Sequence, residues 1–408
     1  MARTASGRNR SRRPLATSIP LLLAAGLLVA CSSTSHTSSP TTAGRTTTSS
    51  PAAAVTATAT HGSPAAPYAG PGPFVAGQTE ARLPDGRRVV IWYPADPAAA
   101  RGHAEAHFDL AGTLPATYQA RIPAGDRPVY TYAAYPGVKP STAGPFPLVL
   151  FSHGFAGFPE QSVSLTTHLA QWGYVVMAPD HTERDLVAVL TSKVGKADDT
   201  QVLSATIDLA LRENADPASP LHGLVDPAHI AVTGHSSGAT AAYEEAQVEP
   251  RVDGFIAYAA EAPTGKGAAP PPHKPGMIMT GTIDKSVEPA QDRALYAYLE
   301  PPKWFVTIGD SGHLVFSDIC LIGRDKGGIV ALAKSLKLGI PDDLLQLGFD
   351  GCQPSALLPS KAFGAIGDLS VAFLRHLFGT DPTTRYLRPG VTRAFAPAVV
   401  TITSEPRS

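Results

Sequence analysis

Ile230-Ala231-Val232-Thr233 runs straight into Gly234-His235-Ser236-Ser237-Gly238, and then into Ala239-Thr240-Ala241-Ala242-Tyr243. This is an apolar strand, a turn with glycine at both ends, and a helix of small residues. Nothing else in the chain restricts the fold so tightly. A strand that becomes a helix within a few residues brings its own backbone into close approach, and only glycine leaves room there. The central residue, Ser236, is lifted onto the tip of the turn. The helix that follows points its unpaired N–H groups toward any negative charge developing there. Ser236 is therefore the candidate nucleophile, and Gly234 and Gly238 are the turn glycines. Ser237 is adjacent, but it lacks glycines at the matching spacing. The competing reading is a glycine turn in a related, inactive fold.

Further apolar, β-branched runs fall at 87–94, 147–152, 174–178, 252–259, 276–281 and 304–308. Helical spacing is clearest over 160–172, 200–213, 237–247, 288–299 and 363–378. Strands separated by helices predict an α/β fold with a mostly parallel, doubly wound sheet. Uninterrupted runs such as Leu148-Val149-Leu150-Phe151 belong at its centre, buried on both faces. The early pair within 74–95 has no helix between its members and reads as antiparallel edge strands. Residues 97–145 show weak periodicity and predict a long excursion between edge and centre. No internal repeat is visible.

A serine nucleophile needs a base within hydrogen-bond reach and a third group to orient that base. On such an elbow the acid and then the base follow the serine along the chain. Trp304-Phe305-Val306-Thr307-Ile308 reads as a late strand, with His313 in the loop after it. His313 is the candidate base; a surface loop histidine is the alternative. Asp284 follows the preceding strand and is the candidate acid. Glu261, after Ala259-Ala260, is the alternative acid. Asp310 and Asp318 share the loop of His313 and read better as exposed or turn-capping carboxylates. Leu150-Phe151-Ser152-His153-Gly154-Phe155 is a central strand ending in a tight turn. The N–H groups of Phe155 and Ser237 are placed to form an oxyanion hole. His153 is expected to fix that turn by hydrogen bonding rather than to act as a base.

Phe151-Ser152-His153-Gly154-Phe155, Gly234-His235-Ser236-Ser237-Gly238 and Gly312-His313-Leu314-Val315-Phe316-Ser317-Asp318 together resemble one group of α/β-hydrolases. It is the platelet-activating-factor acetylhydrolase and dienelactone-hydrolase-like group, with the bacterial cutinase and polyester-hydrolase enzymes as relatives. The resemblance spans roughly residues 75–378. It implies a core of about eight strands and carboxylic-ester hydrolysis through Ser236, His313 and an acid. The acetylhydrolase branch carries its acid after the strand that here ends Tyr258-Ala259-Ala260, where this chain has alanines. Asp284 matches the cutinase-like position instead.

The first thirty residues read as an address. Their charges are all positive: Arg3, Arg8, Arg10, Arg12 and Arg13. An apolar run at 19–30 then ends in Leu28-Val29-Ala30-Cys31. That tetrapeptide resembles a bacterial lipobox, which implies cleavage before Cys31 and lipid on its thiol. An ordinary signal peptide is the alternative, and Ser11-Arg12-Arg13 partly resembles a twin-arginine signal. Loss of residues 1–30 leaves 28 basic against 34 acidic residues, a net charge of −6. That balance argues against a nucleic-acid partner. Residues 32–50 include fourteen Ser or Thr, so 31–66 reads as a flexible spacer between anchor and domain, with a glycosylated and a passive linker as the two alternatives. The hydrolase domain is expected over 67–380, with a tail at 381–408.

The chain has three cysteines. With Cys31 taken by lipid, Cys320 and Cys352 are expected to pair as a disulfide in an exported chain; two buried free thiols are the alternative. Neither His181-Thr182-Glu183 nor His103 and His107 has convincing metal spacing, so no metal or other cofactor is expected. The expectation is a monomeric, exported serine esterase held to the outer side of the cell membrane by Cys31, or released from it. A lipase, phospholipid acetylhydrolase, thioesterase or polyesterase would use the same triad. A non-catalytic binding lipoprotein on this scaffold is the rival from another class.

Overall fold

The computed structural model describes residues 65–406, apart from 197, 262, 263, 266 and 390–393. The signal segment 1–30, Cys31 and nearly all of the spacer lie outside the described residues. Twelve strands follow in chain order: β1 (Val75–Arg82), β2 (Arg88–Ala95), β3 (Ala106–Asp109), β4 (Val129–Tyr132), β5 (Ala134–Pro136), β6 (Phe146–Ser152), β7 (Val175–Pro179), β8 (Val225–His235), β9 (Gly254–Tyr258), β10 (Gly276–Gly281), β11 (Lys303–Ile308) and β12 (Val400–Glu405).

Ten of them form one sheet in the order β12-β11-β10-β9-β8-β6-β7-β2-β1-β5, while β3 and β4 pair separately. From β7 through β6, β8, β9 and β10 to β11 all neighbours are parallel. β1 and β2 are antiparallel, as their missing crossover helix predicts. The sheet exceeds the expected eight strands because each edge carries one more. β5 comes from the excursion at 97–145 and lies beside β1. β12 comes from the segment expected as a tail and pairs antiparallel with β11.

The central strands are buried on both faces because successive side chains alternate between two cores. Leu148, Leu150, Ile230 and Val232 join one core, which the helices Asp199–Ala215, Ser237–Val248 and Pro289–Tyr298 cover with residues such as Leu203, Ala242 and Leu295. Val149, Phe151 and Ala231 join the other, covered by the helices Val163–Gln171 and Pro359–Leu377 through Leu169 and Phe373. The long helix expected over 200–213 runs from Asp199 to Ala215 and begins with a side-chain cap. The Asp198 carboxylate accepts from the Gln201 N–H at 3.2 Å at the N-cap of Asp199–Ala215.

The excursion is ordered. It holds β3, β4, β5 and two four-residue helices, Leu110–Thr113 and Ala116–Gln119. Ala111 and Ile122 pack there against Leu338, from a second insertion after β11, to form a small third core.

Candidate active site

β8 delivers Ser236 to the carboxyl edge of the sheet. Ser236 has φ 57° and ψ −126° and directly precedes the helix Ser237–Val248. A non-glycine residue in this region is strained by about 1–3 kcal/mol, a state that persists only where the surroundings impose it. The Ser236 N–H donates to the Tyr258 carbonyl at 2.9 Å, which helps to pin the turn. Neither flanking glycine has a positive φ. They are required by crowding: a Cβ on Gly234 would lie 2.0 Å from the Gly238 carbonyl oxygen, and one on Gly238 would lie 2.0 Å from the Ser152 carbonyl oxygen.

His313 opens a short 3-10 turn, His313–Phe316, after β11 and is buried. Its Nδ1 lies 2.9 Å from Asp284 Oδ2. That leaves Nε2 for the nucleophile side, and Ser236 and His313 line one cavity. Asp284 is held from behind, because its Oδ1 accepts from the N–H groups of Ser286 at 2.9 Å and Val287 at 2.8 Å. The structure thus brings Asp284 to the imidazole. Glu261 is exposed beyond β9, and its carbonyl accepts from the Thr240 hydroxyl. Asp310 lies on the exposed turn after β11. Asp318 is not exposed, but it does cap a turn, the first of the helix Val163–Gln171. It is fully buried, accepts from the Ser164 N–H at 2.8 Å and the Tyr130 hydroxyl at 2.9 Å, and is pushed up to about 6 by burial.

The oxyanion turn is arranged differently from the simple expectation. The Phe155 N–H donates to the Ser237 side-chain oxygen at 3.0 Å. One expected hole donor is therefore bonded to a side chain beside the nucleophile. Ser237 is the first helical residue, so its own N–H has no acceptor within the helix. His153 is buried and fixes the turn: its Nδ1–H donates to the Gly154 carbonyl, and its Nε2 accepts from the His181 N–H, both at 2.9 Å.

Two connecting residues escaped the sequence reading. Gln161 accepts from the Gly154 N–H at 3.1 Å and donates through Nε2 to His235 Nδ1 at 3.0 Å. His235 Nε2–H in turn donates to the His313 carbonyl at 2.9 Å. Burial, and then the neighbouring His313, hold His235 well below the usual histidine range, which suits a neutral ring with one donor and one acceptor. The oxyanion turn, the elbow and the base loop are tied into one chain of hydrogen bonds. No sequence pattern marks Gln161, which lies 74 positions from its partner His235.

A second Ser-His-Asp set lies nearby. Ser152 Oγ is 2.8 Å from His181 Nε2, and His181 Nδ1 is 2.8 Å from Asp199 Oδ1. Ser152 and His181 are completely buried. Burial, and then the positive Arg184, push His181 down to about 3. Arg184 also donates to the Ser152 hydroxyl and to the His153 carbonyl. Ser152 and His181 do not line the cavity of Ser236 and His313 and cannot reach a substrate there, so this set braces the end of β6.

The family model described as chlorophyllase matches residues 134–253. That range includes the oxyanion turn and the Ser236 elbow, and it ends before Asp284 and His313. No curated protein matches the chain. Among solved structures, a ferulic acid esterase from Streptomyces cinnamoneus is similar at 21% identity and a TM-score of 0.56, over 81% of this chain and 96% of that chain. The fold is the α/β-hydrolase fold. Together the likenesses support an esterase-like α/β-hydrolase.

In this hydrolase fold the loops above the sheet decide what reaches the serine. A cavity of about 140 Å³ opens in front of Ser236. Its polar lining, Gln161, His235, Ser236 and His313, sits at one end, and aliphatic side chains supply most of the rest. Phe155 and Phe158 flank the polar end. Cys320 and Cys352 are joined by a disulfide, with a Cα–Cα distance of 5.1 Å. Among the described residues no group of three or more His, Cys, Asp or Glu is placed to hold a metal ion. No helix of the described residues is long and apolar enough to cross a membrane.

Proposed function

We propose that the chain hydrolyses carboxylic esters with Ser236 as nucleophile, His313 as base and Asp284 as the acid that orients it. The observation that carries this reading is the 2.9 Å contact of His313 Nδ1 with Asp284, on the same cavity as a serine held at positive φ. Ser236 Oγ attacks the ester carbonyl while His313 Nε2 takes the hydroxyl proton. Asp284 keeps the other proton on Nδ1 and stabilises the imidazolium. The N–H groups of Ser237 and Phe155 face the developing oxyanion, and for Phe155 this means exchanging the Ser237 hydroxyl for the oxyanion. The tetrahedral intermediate collapses, His313 returns the proton to the departing alcohol, and an acyl ester on Ser236 remains. Water activated by His313 then releases the acid. No cofactor takes part in these steps.

The likenesses to chlorophyllase and to a ferulic acid esterase support ester chemistry and do not choose one substrate. An apolar acyl group suits the aliphatic cavity and the two phenylalanines beside its polar end. The protein is further proposed to be exported and anchored by lipid on Cys31, which detergent phase partitioning of wild type and Cys31→Ser would test. A fluorophosphonate probe tests the chemistry. Labelling of the folded domain that disappears in Ser236→Ala is the expected result. A folded domain that stays unlabelled would overturn the enzyme reading in favour of a binding lipoprotein.

A further inference from the structure

The cavity in front of Ser236 has a roof that the sheet does not supply. One half comes from the excursion, through Leu110, Leu114 and Ile122. The other comes from the insertion after β11, through the helices Ile329–Ser335 and Asp342–Leu347. Ala333 and Leu338 from that second half line the cavity, as do Leu344 and Leu345. Hydrogen bonds close the seam between the halves: Arg121 Nη1 donates to the Leu338 carbonyl at 2.8 Å, and Lys326 Nζ to the Gly125 carbonyl at 2.6 Å. The Cys320–Cys352 disulfide brackets the second half, so both of its helices hang from one covalent loop. The cavity volume of about 140 Å³ is close to that of an apolar protein cavity of about 150 Å³ that takes up benzene.

We propose that the disulfide-closed segment 320–352 is the acyl-selecting element of the site, and that it takes an apolar acyl group of about the size of a benzene ring. This rests on the esterase reading above. The catalytic serine and histidine stand at the polar end, so the ester carbonyl stays there while the acyl group points under the roof. A long alkyl chain exceeds this volume and must extend beyond the roof.

The test compares kcat/KM for nitrophenyl acetate, benzoate and palmitate in the wild-type domain and in variants whose Ser236 still reacts with the fluorophosphonate. Wild type is expected to prefer benzoate. Ala333→Phe fills the cavity and should lower the benzoate-to-acetate ratio by about tenfold, the scale of a misfit in an apolar pocket. Leu345→Ala enlarges it and should raise the palmitate-to-benzoate ratio. Replacing both cysteines by serine should erase much of the discrimination. Ratios unchanged in all three variants, with labelling intact, would overturn the acyl assignment and leave the esterase reading standing. Loss of labelling in wild type would remove the esterase reading itself.

A separate set of hydrogen bonds concerns Asp350, in the same segment. Its Oδ2 accepts from the Lys285 N–H at 3.0 Å, the Ser286 N–H at 2.9 Å and the Ser286 hydroxyl at 2.8 Å. Its Oδ1 is 3.4 Å from the His313 N–H, and its carbonyl accepts from the Leu314 N–H at 2.9 Å. One carboxylate thus spans the loop that follows Asp284 and the loop that carries His313. Gly312 makes the approach possible, since a Cβ there would lie 2.6 Å from Asp350 Oδ1.

The geometry points to Asp350 as a positioning residue that keeps the acid and the base in register. Asp350→Ala is expected to lower kcat per fluorophosphonate-titrated site by about tenfold or more, with KM little changed, because small misplacements of catalytic groups are costly. Asp350→Asn, which keeps one side-chain oxygen as acceptor, should restore part of the loss. A purely structural role would lower the number of titratable sites and leave kcat per site intact, and that outcome would overturn the assignment.

Discussion

At the residue scale, the turn after β6 shows how a side chain can occupy a donor that the proposed mechanism needs. The Phe155 N–H is 3.0 Å from Ser237 Oγ, so the Ser237 hydroxyl stands near the position an oxyanion would take. Ser237→Ala removes that hydroxyl and leaves both backbone donors in place. Its kcat is expected to stay within about tenfold of wild type, whereas loss of a hole donor costs about 10²–10³ in kcat. Steady-state kinetics on one aryl ester decide this, and a loss of 10² or more would make the hydroxyl itself a donor to the oxyanion. The glycine beside it allows no such latitude. Gly238→Ala meets the Ser152 carbonyl oxygen at 2.0 Å, a backbone atom that cannot rotate away. The expected outcome is a failure to fold or a Tm many degrees lower, measured by circular dichroism.

At the element scale, burial decided which strands could be recognised. β6, β7 and β9 are almost wholly buried on both faces, and their sequences are unbroken apolar runs. β12 is an edge strand with the pattern buried, exposed, buried, exposed at Val400, Thr401, Ile402 and Thr403, set in a segment rich in polar residues and proline. Only its partner β11 makes it a strand. β5 has three residues, too few for any period to appear. The four-residue helices of the roof are likewise shorter than the window in which a helical period can be read. Removing residues 399–408 would uncover the hydrogen-bonding edge of β11 and the side chains packed by Val400 and Ile402. A lower Tm and concentration-dependent aggregation are expected, because an open apolar edge pairs with other chains. A monomeric truncated protein with unchanged Tm would show that β12 contributes nothing to stability.

At the scale of the whole molecule, buried carboxyl groups set the pH dependence. Burial pushes Asp292 up to about 8, Asp368 and Glu245 up to about 7, and Asp318 up to about 6. In the unfolded chain the same groups titrate near the ordinary carboxylate values of about 4. The folded state therefore binds more protons between those limits, and its stability falls as pH rises. The contribution is complete below about pH 4 and is lost on passing through the raised values. Opposing it, Glu249 is held down at about 2 by Arg251, so its contribution disappears in strong acid. Burial also holds His168, His181 and His235 below the usual histidine range, which favours the fold as pH rises to about 6.5. The net decline in Tm is therefore expected from pH 7 to pH 9, and Asp292→Asn should flatten the upper part of it. A Tm that rises over this range would contradict the assignment.

What sterics dictate within a few residues can be read along the chain. Gly234 and Gly238 around Ser236 announce a strand crossing into a helix, and the apolar runs announce a sheet buried on both faces. The sequence also offered His313 as candidate base, and Asp284 before Glu261 as candidate acid. Tertiary structure decided the rest, because the remaining contacts join residues far apart in the chain. Phe155 and Ser237 are 82 positions apart, Gln161 and His235 are 74, and Asp350 reaches back 65 to Lys285. Such contacts depend on where loops come to rest after the sheet has formed, and no local pattern encodes that. The roof follows the same rule. Its two halves, near residues 121 and 338, meet only when the excursion and the late insertion fold over the same end of the sheet. How far apolar side chains roof over the serine on the elbow is settled there.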